Sequence, residues 1–119
     1  MDSYISERDI WLINLNPTKG IEIQKVRPCL VLKKFSHVHF VVVPITSKKK
    51  SENFAIKIDT ELLKEQENYV NISHIRSVDR CRFIRRYGQI SDKKFFQVKK
   101  KTVEVLELLP QGADAHNVK

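Results

Sequence analysis

Val26-Arg27-Pro28-Cys29-Leu30-Val31-Leu32, followed six residues later by His39-Phe40-Val41-Val42-Val43-Pro44-Ile45-Thr46-Ser47, decides the fold. Two β-branched apolar runs of this length read as strands, and the short polar interval joins them as an antiparallel hairpin. Proline cannot donate a ladder hydrogen bond, so Pro28 belongs at the start of the first strand and Pro44 near the end of the second. Both prolines then mark the same end of the hairpin. Arg27 comes to lie beside Thr46 and Ser47 at one rim of a sheet, a cation next to two hydroxyls.

Working outward, Asp9-Ile10-Trp11-Leu12-Ile13-Asn14-Leu15 is a strand with Ile10, Leu12 and Asn14 on one face and Trp11, Ile13 and Leu15 on the other. Apolar residues on both faces imply a strand curled within a barrel or covered on its second side. Residues 1–8 read as a polar lead-in, Asn16-Pro17-Thr18-Lys19-Gly20 as a turn, and residues 20–26 as a polar loop feeding Arg27. Beyond the hairpin, residues 47–53 form a basic loop. Phe54-Ala55-Ile56-Lys57-Ile58 alternates as a strand, with Phe54, Ile56 and Ile58 toward the core.

Residues 59–66 suit a short helix capped by Asp59 or Thr60, and residues 69–78 one alternating strand with Val70, Ile72 and His74 on one side. Residues 82–90 read as a last strand with a turn or bulge at Gly88. Ser91 is placed to cap a closing helix from Asp92 to about Leu109, with Phe95, Val98, Thr102, Val105, Leu106 and Leu109 at the 3.6-residue period, and Pro110 stops it. Short strands with no room for crossover helices favour an antiparallel, strongly curled barrel. The expectation is one mainly β domain over residues 1–110, with a short helix, a C-terminal helix and a disordered tail at 111–119.

At 119 residues, the chain is long enough to bury roughly 65% of its unfolded surface in one core. No apolar run reaches the roughly 20 residues that span a bilayer, and the N-terminus lacks a signal-peptide pattern, so a cytoplasmic protein without a membrane is expected. The net charge of +8, from 22 Lys and Arg against 14 Asp and Glu, draws in anions, with nucleic acid the commonest. Lys33, Lys34, residues 48–50, and the arginines at 76, 80, 82, 85 and 86 cluster between or beside strands. Cys29 and Cys81 lack metal or redox spacing and read as reduced thiols. His37 and His39 share a face but lack a third ligand, so no metal or other cofactor is expected.

The polar groups that gather at the rim are Glu22, Arg27, Thr46, Ser47, Ser73 and His74. A carboxylate, a guanidinium and hydroxyls can serve phosphoryl transfer without a metal: the carboxylate takes a proton, and the cation holds charge building on phosphate oxygens. The same residues equally describe a surface salt bridge, a strand-end threonine and a capping serine. Trp11 and Tyr87 are either base-stacking rings or, for Trp11, core or interface.

In ordered motifs the chain resembles the MazF/PemK (Kid-like) family of type II toxin-antitoxin endoribonuclease toxins. The matches are Asp9-Ile10-Trp11-Leu12, Asn14-Leu15-Asn16-Pro17-Thr18-Lys19-Gly20, Glu22, Arg27-Pro28-x-Leu30-Val31-Leu32, Val43-Pro44-Ile45-Thr46-Ser47, Ile75-Arg76-Ser77-Val78-Asp79 and Gly88-Gln89-Ile90-Ser91. The resemblance implies an SH3-like (CcdB/MazF-like) barrel that forms a homodimer and cleaves single-stranded mRNA. Its cognate antitoxin is implied as a partner, and operator DNA only through that antitoxin. It further implies Arg27, Thr46 and Glu22 as catalytic, giving 2',3'-cyclic phosphate and 5'-hydroxyl ends. Ser47, Lys48, Lys49, Lys19, Gln24, Ser73, His74 and Arg76 would bind substrate.

The chain departs from the family pattern at three places. Arg8 stands where glycine is usual, the first loop reads Glu22-Ile23-Gln24-Lys25 without its glycine, and Ser73-His74 replaces the usual Asp-Gln or Ser-Gln. Glu22, or His74 if its ring reaches the groove, is then the candidate base. The alternative function is a noncatalytic member of the same fold that binds nucleic acid or an antitoxin, or a toxin acting on a protein.

Overall fold

The computed structural model describes residues 4–16, 20, 25–47, 53–64 and 67–109. Seven antiparallel strands and one helix follow in chain order: β1 Asp9–Asn14, β2 Val26–Lys34, β3 His39–Thr46, β4 Ala55–Ile58, β5 Asn68–Asn71, β6 Arg76–Asp79, β7 Phe83–Gln89 and α1 Asp92–Val105. They form a sheet in the order β4-β5-β3-β2-β1-β7, with β6 also paired to β3. The mainly β, antiparallel architecture with a C-terminal helix is the one expected. The barrel is not closed, however: β4 and β7 end the hydrogen-bonded order, and no pairing joins them among the described residues.

The hairpin of β2 and β3 is the centre of the sheet, in the register Cys29↔Pro44, Leu30↔Val43 and Val31↔Val42. Side chains alternate across a pleated strand, so a chain apolar at successive positions must fill two cores. Ile10, Leu30, Val43 and Ile45 pack on one face with Ile58, Val70, Ile72 and, from α1, Phe95 and Val98. Trp11, Ile13, Leu15, Cys29, Val31, Phe40, Val42 and Val78 pack on the other. There Phe83 makes edge contact with Trp11 at 5.6 Å and a tilted contact with Phe40 at 5.0 Å. Burial of each large apolar side chain contributes about 2 kcal/mol, so both faces are needed to hold so short a set of strands.

Several expectations are corrected. Residues 69–78 are two strands separated by a 3-10 turn, Ile72–His74. Between the pairs Val42↔Arg76 and Ile45↔Val70, β3 advances three residues while its partner advances six, and the turn absorbs the excess. No short helix follows β4 among the described residues. Residues 61–64 are turns and bends, and the Thr60 hydroxyl accepts the Leu62 N–H at 3.1 Å. Phe54 is exposed and Ala55 buried instead.

At α1 the Ser91 hydroxyl accepts the Lys94 N–H, as expected of a cap, but the helix ends at Val105. Glu107 is in the left-handed region at φ 53°, and Leu106 and Leu109 remain exposed. The lead-in packs on the domain: Ile5 is buried in the second core, and its carbonyl accepts the Lys34 ammonium at 2.9 Å. The expected disorder of residues 111–119 falls outside the described residues. No helix among the described residues is long and apolar enough to cross a membrane.

Candidate active site

Arg27 and Thr46 each lie two residues past Cys29↔Pro44, where the β2–β3 ladder ends. Each is held from its far side: Arg27 pairs with Ile13 of β1, and Thr46 with Tyr69 of β5. Thr46 is buried and Arg27 half-buried, so the hydroxyl sits in a fixed wall with the guanidinium's strand beside it. Positions fixed by a ladder on a rigid strand are suited to holding a reacting group in one geometry.

Arg27, Thr46 and Ser47 line one cleft of about 500 Å³. Across it stand Leu62, Leu63 and Lys64 from the turn after β4, Asn68 at the start of β5, and Arg85 and Tyr87 from β7. Three cations and no carboxylate are among its described lining residues. Such a cleft favours an anion, and its hydroxyls and guanidinium can donate to phosphate oxygens.

Ser73, His74 and Arg76 do not line this cleft. The Ser73 hydroxyl donates to Asn71 Oδ1 at 2.8 Å, within the 3-10 turn that carries His74. Arg76 donates from Nη1 to the Leu15 carbonyl at 3.1 Å, and Arg82 donates to the carbonyls of Asn14 and Asn16. These two guanidiniums fasten the point where the first loop leaves β1. The loop's return is fastened too, by Lys25 N–H donating to Asn16 Oδ1 at 2.8 Å. Lys19, Glu22, Gln24, Lys48 and Lys49 lie outside the described residues.

Burial pushes the Cys29 thiol up to about 12, opposed by the charges of Arg76 and Arg27, which places both guanidiniums near it. Cys29 is therefore a neutral core thiol. Cys81 is exposed, and its hydrogen bond with Asp79 raises its pKa as well. His39 shares a hydrogen bond with the Ser77 hydroxyl and packs on Phe35 at 4.9 Å between ring centres. No group of three or more metal-ligating side chains occurs among the described residues. Trp11 is core, donating its indole N–H to the buried Asp9 carboxylate at 3.0 Å.

Of the other cleft residues, sequence reasoning names Arg85 only within the arginine cluster and Tyr87 only as a base-stacking ring, and it passes over Asn68. The signal that could have paired the first two is their i, i+2 spacing in a strand, just before the Gly88 bulge.

Crystal structures with this fold include MazF from Deinococcus radiodurans, 21% identical, with a TM-score of 0.72 over 89% of this chain and 99% of that one. The Mycobacterium tuberculosis toxin MazF-mt6 is 17% identical, with a TM-score of 0.69 over 84% and 97%. An endoribonuclease in complex with its cognate antitoxin, from a mycobacterial species, is 13% identical, with a TM-score of 0.69 over 87% and 95%. No match was found among curated protein sequences. The family model described as PemK-like, MazF-like toxin of type II toxin-antitoxin system matches residues 6–106. Spanning both cores, the β2–β3 hairpin and α1, that match means the chain belongs to the PemK-like, MazF-like toxins of type II toxin-antitoxin systems.

Proposed function

We propose that this toxin is an endoribonuclease that cleaves single-stranded mRNA at a preferred sequence. The observation that carries the reading is the Arg27–Thr46 juxtaposition in a cation-lined cleft. The 2'-hydroxyl oxygen attacks the adjacent phosphorus, the O2'–P bond forms and the P–O5' bond breaks. The products are a 2',3'-cyclic phosphate and a 5'-hydroxyl. Glu22 takes the 2'-hydroxyl proton, and the leaving 5'-oxygen is protonated by solvent while Arg27 donates a hydrogen bond to it. An arginine keeps its proton in a protein, so Arg27 acts as a donor and counter-charge and not as the base. Thr46 donates to a non-bridging oxygen, with Ser47 beside it. Lys19, Gln24, Lys48 and Lys49 hold the strand's phosphates on either side.

This scheme places charge stabilisation on side chains, so cutting persists in excess EDTA. The protein acts as a homodimer in the cytoplasm, a cognate antitoxin neutralises it by covering the RNA groove, and operator DNA is reached only through that antitoxin. The relative crystallised with its antitoxin supports the partner. Incubating the purified protein with a long single-stranded RNA in EDTA and mapping the ends tests the reading. Cuts at a recurring sequence with 5'-hydroxyl ends are expected. Tight RNA binding without cuts would instead favour a noncatalytic binder of the same fold.

A further inference from the structure

Arg85 and Tyr87 stand in the cleft that holds Arg27 and Thr46, on β7, which is separated from β2 by β1. The Arg85 guanidinium carbon lies 4.6 Å from the Tyr87 ring centre, and Arg85 Nη2 donates to the Tyr87 hydroxyl at 3.3 Å. Two residues apart on β7, Arg85 and Tyr87 fall on one face by strand alternation, and the ladder is irregular just beyond them. β1 residues Ile10 and Trp11 face Gly88 and Arg86, leaving Tyr87 as the extra residue of a bulge. Gly88 makes it possible: its φ is +146°, and a Cβ there would meet Leu62 Cδ2 at 2.8 Å. Leu62 and Tyr87 both pack against the first core, so the ring has a fixed floor.

A guanidinium held over an aromatic ring is a flat cationic surface, and single-stranded RNA is gripped by stacking its splayed bases on aromatic rings or arginine planes. We propose that the Arg85–Tyr87 pair is a nucleobase subsite. It stacks one base of the RNA strand next to the scissile phosphate held by Arg27 and Thr46, and so sets sequence preference at that position. The inference rests on the RNA reading above and adds its specificity element.

The test uses the full-length protein and an RNA oligonucleotide carrying 2'-O-methyl groups, which binds without being cut, together with end-mapping on a long unmodified RNA. Arg85 is exposed, so its variants leave the core untouched. R85A is expected to weaken oligonucleotide binding by about tenfold, within the range of one base–side-chain stack, and to flatten its salt dependence. R85K keeps the charge but not the plane. It should retain the salt dependence while losing selectivity at one position of the cut sequence. Tyr87→Phe keeps the ring and should match the wild type within about twofold, whereas Tyr87→Leu, which keeps an apolar floor, should behave as R85A.

Wild-type affinity and an unchanged cut sequence in R85A and Tyr87→Leu would overturn the subsite while leaving the nuclease reading intact. Wild-type binding that depends on Arg85 and Tyr87, with no cutting, would overturn the nuclease reading and keep the subsite. Failure of the wild type to bind RNA would overturn both.

Discussion

Thr46, at the buried end of β3, and Arg27 of β2, each two residues past the Cys29↔Pro44 pair, line a single cleft. If the hydroxyl donates to a phosphate oxygen in the transition state, its loss removes one oriented donor. Thr46→Val should then slow RNA cutting by roughly 100-fold or more, about 3 kcal/mol. Thr46→Ser, which keeps the oxygen, should stay within about tenfold, because only packing changes. Single-turnover rates on one oligonucleotide check this, and equal rates for Val and Ser variants would remove Thr46 from the chemistry.

Asp9 is fully buried, yet accepts the Ser6 N–H at 2.9 Å, the Trp11 indole N–H at 3.0 Å and an Arg86 Nη2–H at 3.2 Å. The carboxylate ties the lead-in, β1 and β7 together. Asp9→Ala should cost about 3 kcal/mol, because it leaves one buried and one partly buried N–H group without an acceptor. Arg86→Ala should cost about 2 kcal/mol, since it leaves a buried carboxylate without its counter-charge, though the guanidinium itself is only partly buried. Urea midpoints at neutral pH measure both, and an Arg86 loss larger than the Asp9 loss would contradict this description.

Gly88 carries the bulge at Tyr87, at φ +146° and within 2.8 Å of Leu62 for any added Cβ. Gly88→Ala should destabilise by about 2 kcal/mol from backbone conformation, with a further small penalty as Leu62 moves. Thermal melting checks the stability. Tyrosine fluorescence or ring NMR shifts should report Tyr87 displaced, and an unshifted ring with full stability would mean the bulge tolerates a side chain.

Cys29 gives the pH dependence a sign. Its thiol is raised from 9.0 to about 12 in the folded chain, chiefly by desolvation. The unfolded chain therefore ionises first, so this contribution is complete below about pH 9 and is lost as pH climbs toward 12, on the order of 1.4 kcal/mol per unit. Cys29→Ala should be less stable at neutral pH but show a flatter alkaline limb in urea melts between pH 8 and 11. Parallel limbs would mean the thiol is not desolvated. In the native protein a thiol reagent should reach Cys81 and not Cys29.

Much of this was legible because the signals are local. The two prolines dated the ends of β2 and β3, Gly88 marked the bulge, and Ser91 marked the start of α1, each through a backbone requirement of a single residue. The alternation of β1 on both faces announced two cores. The break at Ile72–His74 was not legible, because strand-like alternation continues through those residues and only the register along β3 demands the extra turn.

Residues 59–66 carry helix-like composition, and tertiary packing of Leu62 against Gly88 overrides it in the described part. The i, i+2 spacing of Arg85 and Tyr87 is visible in the sequence, but their meeting with Arg27 and Thr46 follows from the strand order β2-β1-β7, which no linear pattern encodes. Arg8 is the instructive departure: it has φ +78°, a conformation that favours glycine, which explains why glycine is usual at this position. Its side chain offsets the strain by donating to the Ile90 carbonyl at 3.1 Å and pairing with Asp92 at 3.1 Å.

The most direct measurement is the single-turnover cutting rate of Arg27→Ala on a single-stranded RNA, alongside its thermal midpoint. The account predicts that cutting falls by at least roughly 100-fold, while the midpoint moves by no more than a few degrees, since Arg27 is half-buried at a rim and fills no core position. Arg27→Ala cutting the same RNA at the wild-type rate, with 5'-hydroxyl ends, would contradict it.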